Sequence, residues 1–105
     1  MDNFASVITI TFPSFIAYEE WLKRTKEFFL HDEKIKTYLI QSGLKKWTII
    51  KTDDKEPVKA IVYFEYEDKN SFEKCQKIFL KFMPKLSDLI YKSNIVRGNV
   101  IFDEV

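Results

Sequence analysis

Proton transfer near neutral pH calls for a side chain that titrates there, and the chain holds a single histidine, His31. His31 is therefore a candidate catalytic acid or base, with a tyrosine as the other group that would move a proton, although it falls at an expected helix break. Asp32 and Glu33 stand beside it, but adjacent helical residues do not face one another, so a surface or capping histidine is the simpler reading. Cys75 is the single cysteine. It lies on an apolar helical stripe with no histidine or second cysteine placed to activate it, which favours a small buried hydrophobe over a nucleophile. One cysteine and one histidine exclude a Cys/His zinc site and an internal disulfide framework. No Gly-rich phosphate loop, Walker-type lysine or HExxH-like pattern occurs. Neither a metal nor a cofactor is expected.

The aromatic residues, 16% of the chain, offer binding rather than catalysis. Tyr18, Trp21, Tyr38, Trp47 and Tyr66 are the candidates for lining a small-molecule pocket; the competing reading is that they are plain core. Tyr63, Glu65 and Arg97 are expected to point the other way. An Arg97–Glu65 ion pair across a subunit interface is one account of them, and polar groups at the mouth of a cavity is another.

These side chains need elements to position them. Residues 4–12 alternate, with Phe4, Ile8, Ile10 and Phe12 on one face and Val7, Thr9 and Thr11 on the other, which predicts a half-buried strand. Pro13 ends it and Ser14 caps a helical region over about 14–42, in two pieces around His31-Asp32 and closed by Gly43. Residues 47–52 and 58–66 read as strands joined by the polar turn 53–57, an antiparallel hairpin. A second helix is expected over 71–92, opened by Asn70 with Glu73 as capping-box partner and kinked at Pro84. Its stripe of Phe72, Cys75, Phe79, Phe82, Leu86 and Leu89 keeps helical spacing throughout. The last strand is expected over 95–104, with Val96, Val100 and Phe102 on its apolar face and a bulge at Gly98.

The order β-α-β-β-α-β predicts an α+β, ferredoxin-like fold: a four-stranded antiparallel sheet with helices on one face. The opposite sheet face then carries Val7, Thr9, Thr11, Thr48, Ile50, Ile61, Tyr63, Glu65, Ile95, Arg97, Asn99 and Ile101, a mixture too apolar for a face left to water. Either a second copy of the chain or a ligand covers it; the second copy is the expectation taken forward, with Thr9, Ile61, Tyr63, Arg97 and Ile101 in a dimer interface.

The element order, the length and the run Val62-Tyr63-Phe64-Glu65-Tyr66-Glu67-Asp68-Lys69-Asn70-Ser71-Phe72-Glu73-Lys74 resemble the dimeric α/β-barrel superfamily. So does the layout from Met83-Pro84-Lys85-Leu86 to the terminal strand. The resemblance implies a homodimer in which two sheets close into a barrel. It also implies a function drawn from cofactor-free monooxygenases, haem-degrading enzymes, isomerases or members without known activity. Haem-degrading members use an asparagine in the first strand, a tryptophan near the end of the third and a histidine in the second helix. Here Tyr66 stands at the tryptophan position, the second helix has no histidine, and Asn3 sits at the very start of the first strand. Haem degradation is not expected.

Composition narrows the remaining classes. In 105 residues and 12.6 kDa, Leu, Ile, Val and Phe number 35, far above the disordered range, so one domain over 1–105 is expected. Seventeen basic against sixteen acidic side chains leave a charge of +1, which argues against general affinity for nucleic acid or anionic membranes. No apolar run reaches membrane-spanning length and Met1-Asp2-Asn3-Phe4 lacks a secretory start, so a cytoplasmic location is expected. The leading reading is a homodimeric barrel binding a small apolar or aromatic molecule, with a cofactor-free monooxygenase-like activity as its enzymatic form. The alternatives are an RRM-like RNA-binding domain, for which Ile61 and Tyr63 would occupy the stacking positions, and a non-catalytic interaction module.

Overall fold

The chain was analysed as a computed structural model, in which residues 2–89 and 91–104 are described. The alternation of the first strand is realised as β1, Phe4–Phe12, followed by β2 at Leu44–Lys51, β3 at Val58–Tyr66 and β4 at Lys92–Asn99. They form one antiparallel sheet in the order β2-β3-β1-β4, with helices packed on one face, the ferredoxin-like arrangement.

Three helices follow their sequence signals. In α1, Phe15–Thr25, the Ser14 hydroxyl accepts a hydrogen bond from the Ala17 N–H. A π-helical turn over Lys26–Leu30 then precedes α2, Glu33–Gln41, which Asp32 caps by accepting from the Lys34 and Ile35 N–H groups. The expected long helical region is thus two helices, and the π turn was not signalled by spacing. Gly43 ends α2 at φ +110°, and a Cβ there would overlap the Ser71 side chain, so the position demands glycine twice over. The second long helix, α3, runs over Lys69–Phe82 and passes into a 3-10 turn at Met83–Leu86, where Pro84 interrupts the α pattern. It is shorter than the 71–92 expected, although residue 90 lies outside the described residues. Its cap is Asp68, not Asn70. The Asp68 carboxylate accepts from the Ser71 N–H at 2.7 Å and from the Ser71 hydroxyl at 2.9 Å, the spacing of the expected capping box set two residues earlier.

The last strand needs a larger correction. In the β1–β4 register Ile8 pairs with Ile95, Ser6 with Arg97 and Ala5 with Gly98. Cross-strand partners share a face, so Ile95 and Arg97 lie on the helix side and Val96 on the outer side, the reverse of the expectation. Both parities of this strand are apolar at one end, and Val96, Val100 and Phe102 pointed to the wrong one. The ladder runs through Gly98 without a bulge; the irregularity is in β2 instead, between Leu44 and Lys46. β4 ends at Asn99. Ile101 therefore sits beyond the sheet, 88% exposed, rather than on a strand face.

Candidate ligand site

The core is largely aromatic, and its rings do not close on themselves. Trp21 and Thr25 of α1, Phe29 of the π turn, Phe72 and Phe79 of α3, and the sheet residues Ile8, Val62 and Phe64 surround a cavity of about 250 Å³. Apolar helix and sheet faces normally interdigitate to leave only small voids, so a space of this size in the middle of a small protein is a feature to be explained. Phe29 meets Trp47, Phe79 and Phe82 edge to face at centroid distances of 5.1, 5.3 and 4.5 Å, which props the wall open with rigid rings.

The mouth follows from β4. Every residue of this edge strand is exposed and no helix packs closely upon it. Ser93, Ile95 and Arg97 of β4 and the exposed Leu80 and Met83 across from them therefore rim the opening.

Polar groups at this rim are few. Arg97 Nε donates to the buried Ser6 hydroxyl at 3.2 Å, and its guanidinium lies 4.7 Å above the Phe72 ring. The ion pairs among the described residues both belong to Arg24, with Glu20 and with Asp88, so Arg97 has no carboxylate partner there. Tyr66, 1% exposed, also lines the cavity; burial raises its phenol pKa, so it stays protonated at neutral pH. No histidine and no carboxylate of the described residues lines the space. The arrangement can bind an apolar body and meet a negative oxygen with Arg97. It offers no general base.

Of the expected pocket residues, Trp21, Trp47 and Tyr66 line the cavity. Tyr18 is buried against Phe12 and Trp21 and lines a separate groove; Tyr38 is 40% exposed on α2 and lines neither space. His31 is exposed at the end of the π turn, away from the cavity, which removes the geometric basis for a catalytic role. Cys75 is fully buried, its thiol 3.7 Å from the Leu39 carbonyl, and burial pushes its pKa up to about 11, so it packs as expected and carries no chemistry. Thr9, Ile61 and Tyr63 lie on the outer sheet face, as the alternation required. Arg97 does not. It is on the opposite side of the sheet from Glu65, so the expected Arg97–Glu65 pair does not form. Glu65 instead accepts from the Tyr63 hydroxyl and from Asn3 Nδ2, both at 2.7 Å. The Tyr63 bond is the main reason its carboxyl pKa is lowered, and it pushes the Tyr63 phenol up to about 12.

Ser6, Gln76 and Tyr91 line the cavity without having stood out in the sequence, and Arg97, expected in a dimer interface or at the mouth of a cavity, lines it too. For Arg97 the missing signal was the β4 register, which sets it beside Ser6 on the helix side; Ser6 itself shares the parity of Phe4 and Ile8 and was readable from β1 alone. Gln76 lies between Phe72 and Phe79 on α3 and was readable as the one amide within an apolar face.

No protein family matches the chain by sequence, and no curated protein does. Solved structures do match in fold. A dimeric ferredoxin-like protein from an uncultured marine organism shares 26% identity at a TM-score of 0.87, over 100% of this chain and 93% of that one. A second such protein, also from an uncultured marine organism, gives 20% and 0.77 over 99% and 100%. SnoaB, a cofactor-independent oxygenase from Streptomyces nogalater, gives 18% and 0.62 over 100% and 97%. The structural neighbours are thus dimeric ferredoxin-like proteins together with an oxygenase of the same fold. No helix among the described residues is long and apolar enough to cross a membrane.

Proposed function

We propose that this chain is a homodimeric binding protein for a small aromatic molecule bearing an acidic or enolisable oxygen, and that it acts on that molecule without a cofactor. The observation that carries the reading is Arg97. A guanidinium with no carboxylate partner among the described residues stands at the rim of an otherwise apolar cavity, held in place by Ser6 and Phe72. An apolar ligand with an anionic oxygen satisfies both halves of such a site.

The same arrangement restricts the chemistry. No base among the described residues lines the cavity, so the ligand gives up its proton to solvent, and Arg97 favours the phenolate or enolate that results. Reaction of such an electron-rich ligand with dioxygen, sheltered from water by the aromatic walls, is chemistry these residues can support. The cofactor-independent oxygenase among the structural neighbours is consistent with it.

Dimerisation is supported by the neighbours described as dimeric and by the outer sheet face, where Val7, Ile50 and Val96 are 37%, 48% and 64% exposed. The RNA-binding alternative is disfavoured by Glu65, whose carboxylate stands beside Tyr63 on that face and would repel phosphate.

Trp21 and Trp47 both line the cavity, so binding should quench intrinsic fluorescence. Titration with a two-ring aromatic acid and with its uncharged parent hydrocarbon tests the reading. The acid should bind tighter, and Arg97→Gln should weaken it by about tenfold, near 1.4 kcal/mol, while leaving the hydrocarbon unaffected. Equal affinity for both compounds, unchanged in Arg97→Gln, would remove Arg97 from the site. Oxygen uptake with an enolisable ligand tests the enzymatic half.

A further inference from the structure

Beside the cavity lies a second space of about 300 Å³, a groove lined by Tyr18, Leu22, Lys26 and Ile49. Trp47 lines both. Its residue position explains this: Trp47 is on the helix face of β2, opposite Phe64, and β2 is the edge strand of the sheet. Trp47 is the residue the two linings share, with the core rings on the cavity side and Tyr18, Leu22 and Lys26 on the groove side.

Nothing polar anchors this indole. Its Nε1 is buried without a hydrogen-bond partner, the one buried side-chain donor so placed among the described residues. What holds it is ring packing, with Phe64, Phe29 and Phe79 at centroid distances of 4.8, 5.1 and 5.9 Å. Native structures rarely keep an orphaned buried donor, and hydrophobic packing alone would be served as well by phenylalanine. Tryptophan adds bulk here, at the one place where bulk separates two spaces.

We infer that Trp47 is the specificity-determining partition of the ligand site: it closes the cavity off from the groove and thereby sets the size of the molecule admitted. This rests on the reading of the cavity as a ligand site. A cavity of about 150 Å³ accommodates a single benzene ring, so the 250 Å³ present here fits a two-ring ligand. With the partition removed, the groove adds room for a longer fused-ring system reaching toward Lys26.

The test is a series of aromatic carboxylates with one, two, three and four linearly fused rings. Their affinities are measured for the native chain, Trp47→Ala and Trp47→Phe. The native chain should prefer two rings and bind four rings at least about tenfold more weakly. Trp47→Ala should bind the four-ring acid at least about tenfold tighter than the native chain does, while the two-ring acid, losing its contact with the indole, binds more weakly. If Trp47→Ala fails to fold, Trp47→Phe, which drops the orphaned donor and keeps a ring, should shift the preference by one ring. A native chain that selects two rings while the folded variants keep the same size limit overturns the inference alone. A native chain that binds no member of the series overturns the reading of the cavity and this inference with it.

Discussion

At the scale of single residues, what matters is which groups are held and which are left free. Glu65 is held by Tyr63 and Asn3, and its lowered pKa is a statement about stability. The folded chain binds its proton less readily than the unfolded chain. The contribution is therefore complete above the ordinary glutamate value of about 4.3 and is lost as pH falls through the folded one. At the other end, Tyr63 is raised to about 12, so the same bond persists below about 10 and is lost as pH climbs through that upper value. Unfolding titrations of the native chain and of Glu65→Gln should show the acid-side slope weaken in the variant; identical slopes would mean the bond does not matter. Gly43 makes a sharper prediction. Gly43→Ala must adopt φ +110° and displace Ser71, and should cost about 2–4 kcal/mol in chemical denaturation. A loss below about 0.5 kcal/mol would show that the α2–β2 turn relaxes freely.

The elements were legible in the sequence wherever local chemistry decides them. Period switches at Pro13 and Gly43 placed β1 and the helical region, the polar turn 53–57 placed the hairpin, and Ser14 announced its helix with a side chain that does cap, as Asp32 does for α2. What failed was non-local. β4 carries apolar residues on both parities, so its face was settled by pairing with β1, which no local pattern encodes. That one-residue error put Arg97 on the outer face, away from Ser6 and the rim of the cavity. The aromatic residues were half legible for a related reason. Trp21, Trp47 and Tyr66 share the cavity with α3, but the bend at His31–Asp32 starts α2 and leaves Tyr38 outside. A further prediction belongs to this scale. Arg24 donates to the Lys85 carbonyl at 2.9 Å and pairs with Asp88, tying α1 to the segment that carries the cavity residues Met83 and Leu86. Arg24→Gln should raise amide hydrogen exchange over 83–89 and leave β1–β3 unchanged. Unchanged exchange in that segment would show that its own packing suffices.

For the whole molecule, the outer sheet face and the cavity lie on opposite sides of one sheet, so assembly and ligand binding are separable. Light scattering should give about twice 12.6 kDa, and Ile61→Asp, which sets a charge on the outer face, should yield monomer or aggregate. A native chain that stays monomeric at micromolar concentration would break the link to its dimeric neighbours. Binding is the central claim, and a crystal structure of the protein grown with a two-ring aromatic acid tests it most directly. The account predicts the rings between Trp21, Trp47 and Phe79, with an acid oxygen within hydrogen-bond distance of the Arg97 guanidinium. A ligand lodged in the groove beside Tyr18, or on the sheet face that carries Tyr63, with the cavity empty, would contradict it.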